Sequence, residues 1–212
     1  MSPLSRAVRS SLVLGLLLLA VPLVAWGQEP VAPAAAPPSA KEWLARHNAE
    51  AVHLNRVAMG VLFGWAVLNL GTGVAGHFAT EGQTRAFFQA NAAWNVVNLA
   101  IAGFGYHGQA TAEPATWDLA RSLAEGQRME KLLLFNAGLD VGYLAFGAFL
   151  WERGLRKDSE RLRGWGKSLL VQGGFLLLFD GALWFLNARL NDGLTARLVP
   201  APDGVGLMVT WP

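Results

Sequence analysis

The sequence predicts an all-α membrane protein: a four-transmembrane-helix bundle built from two repeated helical hairpins, after a cleavable signal peptide. Three observations carry this. The chain is 53% hydrophobic over 212 residues before its 24 glycines are counted, above the roughly 45–50%, glycine included, of ordinary soluble domains. Four apolar segments, residues 57–79, 86–106, 132–151 and 168–188, each have the ~20 residues that cross a hydrocarbon core. Basic residues gather in the connection between the third and fourth of these segments, as expected of a cytoplasmic loop.

The chain opens as a signal peptide opens. Arg6 and Arg9 precede an apolar stretch over residues 12–24, and Ala25-Trp26-Gly27 then offers small residues where a signal peptidase reads. Cleavage after Gly27 is expected, the alternative being an uncleaved anchor. Residues 28–40, rich in Pro and Ala, make a linker. Ser39 and Glu42 have capping-box spacing, in which each side chain takes a free backbone N–H of the first helical turn. The segment 41–54 carries Trp43, Leu44, Ala51 and Leu54 on or near one side, with Lys41, Glu42, Arg46 and Glu50 on the other. It reads as an amphipathic helix lying along the interface. The four-helix domain then occupies residues 55–190. The tail, 191–212, places Asp203-Gly204 between two β-prone runs, so a small hairpin is expected.

Orientation follows from charge. Loop 152–167 holds Arg153, Arg156, Lys157, Arg161, Arg163 and Lys167, whereas the opposite loop, 107–129, has only Arg121 and Arg128. Loops 80–85 and 152–167 are therefore placed in the cytoplasm, and both termini outside the inner membrane. The signal peptide requires the same topology.

Several function classes are excluded. There is no cysteine, hence no disulfide, thiolate metal site or cysteine nucleophile. The net charge is only +2, and its basic residues follow topology rather than a face that tracks nucleic acid. No Ser/His/Asp arrangement is visible. Gly71-Thr72-Gly73-Val74-Ala75-Gly76 fits a dinucleotide fingerprint, but no strand precedes it. Its glycines, with Gly60 and Gly64, are read as close-packing positions. Gly166-Lys167-Ser168 resembles the end of a phosphate-binding loop, yet Arg161 stands where the first glycine must be.

Helix 1 aligns with helix 3, Asn69 on Asp140, at a shift of 71 residues; Gly71, Gly76 and Glu81 then meet Gly142, Gly147 and Glu152. Helix 2 aligns with helix 4, Asn98 on Asp180, at a shift of 82 residues. Two hairpins in the same orientation imply a pseudo-twofold axis along the membrane normal. The alternative is chance similarity among Gly-rich apolar helices.

The alignment brings out a polar core. Asn69 and Asp140 lie roughly 13 Å from the cytoplasmic helix ends, and Asn98 and Asp180 roughly 20 Å. Asn136 falls near the deeper level. Asn91, Asn95 and Asn98 share one face of helix 2, and Gln172 adds an amide in helix 4. Asn69, Asn95, Asn98, Asn136, Asp140, Gln172 and Asp180 are thus the candidate ligand- or ion-binding residues. Intramembrane carboxyls are costly and point to a role. The competing reading is interhelical hydrogen bonding alone. His53 and His107, near the outer helix ends, are weak candidates for a haem or metal. His47 and His77 read as surface groups. No cofactor is expected, and no catalytic residue is assigned.

Three runs resemble a known family: Trp94-Asn95-Val96-Val97-Asn98, Glu130-Lys131-Leu132-Leu133-Leu134-Phe135-Asn136-Ala137-Gly138-Leu139-Asp140 and Gln172-Gly173-Gly174-Phe175-Leu176-Leu177-Leu178-Phe179-Asp180. The chain resembles, over about residues 55–190, a family of small bacterial four-helix membrane proteins classed as a domain of unknown function. The resemblance implies the architecture and no activity. The leading expectation is a binding or structural module of the inner membrane, in contact with the lipid bilayer and with a homodimer or membrane-complex partner. A small proton- or cation-coupled transporter using Asp140 and Asp180 comes second, and a membrane haem or metal protein third.

This topology has a direct check. Alkaline phosphatase fused after Pro212 is expected to be active and fused after Gly164 inactive, with Gln28 as the mature N-terminus by mass; the reverse fusion pattern refutes it.

Overall fold

In the computed structural model the described residues are 38–201 and 204–208. The expected signal peptide and nearly all of the linker lie outside them. The described chain forms α1 (Ala40–Ala79), α2 (Gly82–Ala110), a short 3-10 turn (Pro114–Thr116), α3 (Leu119–Arg156), α4 (Glu160–Thr195), β1 (Leu198–Ala201) and β2 (Gly204–Leu207).

Local chemistry sets the helix starts. The Ser39–Glu42 capping box is formed: Ser39 N–H donates to Glu42 Oε2 at 2.8 Å and Glu42 N–H donates to Ser39 Oγ at 3.3 Å. From there α1 runs 40 residues without interruption. The segment 41–54, expected as a separate interfacial helix, is continuous with the first span, because nothing in it breaks the backbone ladder. The connections are also shorter than expected. Asp118 caps α3 by accepting from Arg121 N–H at 2.8 Å, so most of segment 107–129 is helical. Ser159 accepts from Leu162 N–H at 3.4 Å and starts α4. Segment 152–167 therefore reduces to a turn of three residues, in which Asp158 takes a left-handed φ of 46°, a conformation Asp tolerates better than most residues. Thr80 and Glu81 alone join α1 to α2. There Gly82 has φ 55°, and a Cβ would lie 2.7 Å from Glu160 Oε2.

In the tail β1 pairs antiparallel with β2, Leu198 opposite Leu207 and Ala201 opposite Gly204. Gly204, placed at the centre of the turn by sequence, is thus paired with Ala201. With φ 135°, it opens the second strand instead.

The helices pack as two hairpins, α1 on α2 and α3 on α4, joined mainly by α2 on α4; α1 and α3 scarcely meet. Glycines set these approaches. A Cβ on Gly73 would fall 2.8 Å from Ala92 N, across α1–α2. One on Gly166 would fall 2.6 Å from Gly147 O, across α3–α4, and one on Gly164 2.7 Å from Phe87 N, across α2–α4. Gly60 and Gly64, also read as packing positions, face nothing within 4 Å. The inward faces recur every seven residues: Leu133, Asp140, Gly147 and Gly154 on α3, and Gly166, Gly173, Asp180, Asn187 and Leu194 on α4 are all buried. A seven-residue period keeps one stripe facing the neighbouring helices.

The partition of polarity is the reverse of a water-soluble bundle. Phe78, Phe104 and Leu178 are 77–81% exposed, while Asn48, Asn95, Ser168 and Gln172 are among the most completely buried side chains. Two small apolar clusters, around Ala58, Leu133 and Leu183 and around Leu62, Ala102 and Leu176, separate the polar levels. Helices α1, α3 and α4 are long and apolar enough to cross a membrane; α2, expected as a fourth span, does not reach the same apolarity among the described residues. Its buried Asn91, Asn95 and Asn98 account for the difference.

Filling a close approach should break the packing. Gly166→Val is expected to destabilise the bundle by about 1–3 kcal/mol, while Gly64→Val stays within about 0.5 kcal/mol of the parent, as measured by denaturation in detergent micelles. Equal effects refute the assignment of Gly166 to a close approach.

Candidate polar core and groove

Let the lower end be where α1 meets α2 and α3 meets α4, and the upper end the opposite one. Polar side chains occupy three levels between them. The lowest is an amide junction. Trp65 Nε1 donates to Gln172 Oε1 at 3.0 Å. Gln172 Nε2 donates to Asn69 Oδ1 at 3.4 Å and to Asn91 Oδ1. Asn91 Nδ2 donates to the Asn69 carbonyl at 3.0 Å and to Asn69 Oδ1 at 3.2 Å. The chain of amides continues up α2, Asn95 Nδ2 to the Asn91 carbonyl at 2.8 Å and Asn98 Nδ2 to Asn95 Oδ1 at 3.2 Å. Spacing on α2 makes this line: positions four and three apart lie one above another on a helix face.

The middle level holds the carboxyls. Asp140 of α3 is 2% exposed and Asp180 of α4 7%. The two groups are neighbours. Asp140 Oδ2 is buried and has no hydrogen-bond donor among the described residues. Both carboxyls, with Asn98 and half-buried Asn136, line a groove of about 390 Å³ whose walls are α2 and α3 and whose floor is α1 and α4. The walls are apolar: Val97, Ile101 and Phe104 on α2, Leu132 and Leu139 on α3. Below the carboxyls Trp94 meets Tyr143 edge to face, ring centroids 4.6 Å apart.

Above lies a second cavity of about 350 Å³, more polar, reaching His47, Arg121 and Glu125. It shares Asn55, Gly108, Gln109, Arg128 and Met129 with the groove. Here Asn55 and Asn187 exchange hydrogen bonds of 3.0 and 3.2 Å between α1 and α4. Asn191 donates to Glu130, and Asn48 to the Pro114 carbonyl at 3.3 Å.

Of the residues singled out by sequence, Asn69, Asn95 and Gln172 belong to the amide chain, Asn136, Asp140 and Asp180 to the groove, and Asn98 to both. His53 and His107 are exposed, and no three His, Asp or Glu side chains among the described residues cluster closely enough to hold a metal. His47, read as a surface group, is instead 8% exposed and stacks on Trp43 at 5.3 Å. Burial pushes its pKa down; Glu50 opposes this and Arg197 adds to it. Sequence reasoning missed Trp65, Asn48, Asn55, Asn187 and Asn191. The seven-residue step from Asn48 to Asn55, and from Asp180 to Asn187, was the available signal.

These features define a class: an all-helical bundle with three helices long and apolar enough to cross a membrane, an apolar exterior and a hydrogen-bonded polar interior. The chain belongs to DUF6992, a family of unknown function, whose family model matches residues 61–181. That stretch contains all three runs that carried the resemblance. No curated protein and no solved structure matches the chain.

Gln172 holds three partners at once. Gln172→Leu is expected to cost about 1–3 kcal/mol for the polar groups it strands. Asn136→Leu, at the groove wall, should cost less than half as much. Denaturation of both variants in the same detergent decides; equal costs refute the junction.

Proposed function

We propose that this chain is a multi-pass integral protein of the inner membrane, with α2 as its fourth span, and that the α2–α3 groove is a binding cleft at mid-bilayer depth. For α2 the support is its facing. It is 29 residues long, or roughly 43 Å at 1.5 Å per residue. Its asparagines are buried while Val96, Val97, Ile101 and Phe104 are 52–81% exposed. A helix that buries its asparagines in the bundle offers lipid a mainly apolar face, Gln89 near its lower end being an exposed amide. For orientation the support is the charge at the lower end, where Arg153, Arg156, Lys157, Arg161, Arg163 and Lys167 surround the α3–α4 turn.

The repeat also has support in the packing. In the first hairpin a Cβ on Gly76 would run into the Phe88 ring; in the second a Cβ on Gly147 would lie 3.1 Å from Leu170 N. Gly76 and Gly147 are 71 residues apart and Phe88 and Leu170 are 82 apart, so corresponding helix positions make corresponding approaches. Two like-oriented hairpins then meet about an axis running between α2 and α4.

One observation carries the binding reading: two buried, adjacent carboxyls, Asp140 and Asp180, line a groove, and Asp140 Oδ2 has no hydrogen-bond donor among the described residues. A buried polar atom left unpaired costs free energy, and ionisable side chains at membrane depth point to a site. The Trp94–Tyr143 contact below the carboxyls favours a blind cleft over a continuous path, hence binding over transport.

Absence of cysteine makes the test clean, since any introduced thiol is unique. In membranes, Asn136→Cys is expected to react with a membrane-permeant methanethiosulfonate at least ten times faster than Ala66→Cys, which is 0% exposed in α1. Equal protection of the two thiols refutes an open cleft.

A further inference from the structure

We propose that the groove takes the ammonium group of a single-tailed amphiphilic amine, admitted sideways from the bilayer between α2 and α3; this rests on reading the groove as a binding cleft.

The first argument is the difference between two corresponding seams. Under the repeat alignment, the seam between α1 and α4 is the counterpart of the seam between α3 and α2. The α1–α4 seam is filled. Trp65 stacks on Phe175 with ring centroids 3.7 Å apart and planes 5° from parallel, and Gln172 ties Asn69 to Asn91. The counterparts on the other side are smaller throughout: Asn136 for Trp65, Ala93 for Phe175, Ala90 for Gln172 and Gly173 for Asn91. The groove is the volume those replacements leave. Asp140 is the counterpart of Asn69, and the two amides that satisfy Asn69 are the two side chains missing beside Asp140. The replacements that open the space thus also leave Asp140 without the amides that Asn69 has.

The second argument is the chemistry of the space. It presents two adjacent carboxyls, Asp140 from the α3 wall and Asp180 from the floor, and Asn98 and Asn136 stand beside them. Arg128 is the one basic residue that lines it, and Arg128 is held at 2.7 Å by Glu125. The groove therefore lacks a counter-cation of its own, and a carboxyl pair in a low-dielectric site is best compensated by one. An ammonium group carries the compensating charge and three N–H donors for the carboxyl oxygens. A hydroxyl brings one donor and no charge. A phospholipid amine would bring its phosphate against the same carboxyls.

The third argument is the walls. Val97, Ile101, Phe104, Leu132 and Leu139 are 41–81% exposed and continue the apolar exterior into the groove. They offer a path for an alkyl tail, and α2 and α3 scarcely touch along it. A volume of about 390 Å³ lies in the range of small-ligand sites.

The test uses the full chain in phosphatidylcholine nanodiscs, with radiolabelled dodecylamine and dodecanol as probes of equal tail length. Saturable binding of one dodecylamine per chain is expected, at least tenfold tighter than dodecanol. Asp140→Asn and Asp180→Asn should each weaken the amine at least tenfold and the alcohol less than threefold, with parent-like melting to verify folding. Asn136→Trp, which rebuilds the plug of the other seam, should abolish binding of both. Equal affinity for amine and alcohol, or an amine affinity indifferent to both Asp→Asn changes, overturns the amine proposal. So does the absence of saturable binding while Asn136→Cys remains reactive, and in that case the cleft itself stands. If Asn136→Cys is protected, the cleft falls and the amine proposal with it.

Discussion

Gln172 has no exposed surface, and its single amide group answers to side chains on two other helices. It accepts from the Trp65 indole of α1 and donates to Asn91 of α2 and to Asn69 of α1. Most of the architecture is tied to that arrangement. Turning α4 by one residue would swing its inner face by roughly 100°, strand four polar groups, and move Gly164, Gly166 and Gly173 out of the contacts they permit. A purely apolar interface has many rotations of similar energy. An amide that must satisfy three partners has one, so the rotation of α4 against the first hairpin is set by hydrogen bonding and then consolidated by close packing.

The glycines and the amides therefore act together. Backbones brought close at Gly73, Gly147 and Gly166 let short side chains reach across a helix pair, which Asn, with one methylene before its amide, requires. Where the helices diverge, between α2 and α3, the amides no longer meet. Asn136 there lines the groove, and Asp140 has the Asp180 carboxyl beside it instead of amides. Satisfied and unsatisfied polar groups thus lie at neighbouring levels of one core. The difference between them is the size of a few neighbours: Ala90, Ala93 and Gly173 where the other seam has Gln172, Phe175 and Asn91.

Much of this was legible beforehand, for physical reasons. Each helix was visible because roughly twenty consecutive apolar residues leave little alternative to a helix in an apolar medium. The cap at Ser39 was visible because its chemistry is local. The inward position of Asn95, Asn98, Asp140 and Asp180 followed from the cost of facing them outward. The helix ends were less legible. Polar residues at 107–129 and 152–167 read as loops, yet a helix that leaves an apolar layer stays helical if its caps, here Asp118 and Ser159, lie further along. His47 was misjudged because sequence offers only its local stack on Trp43; Arg197 and the chain around Trp117 and Arg121 approach it only after folding.

The sequence by itself determined the four long apolar segments, the duplication-like spacing of polar residues and the absence of thiol chemistry, since all of these depend on composition and on periodicity along one helix. Tertiary structure alone decided which polar groups are satisfied. Asn69 and Asp140 occupy aligned positions with near-identical shapes, and nothing within their own helices distinguishes an amide with partners from a carboxyl without them. That distinction belongs to α2 and α4, through the side chains they place opposite, and hydrogen bonds between helices are fixed only once the helices have taken their rotation and distance.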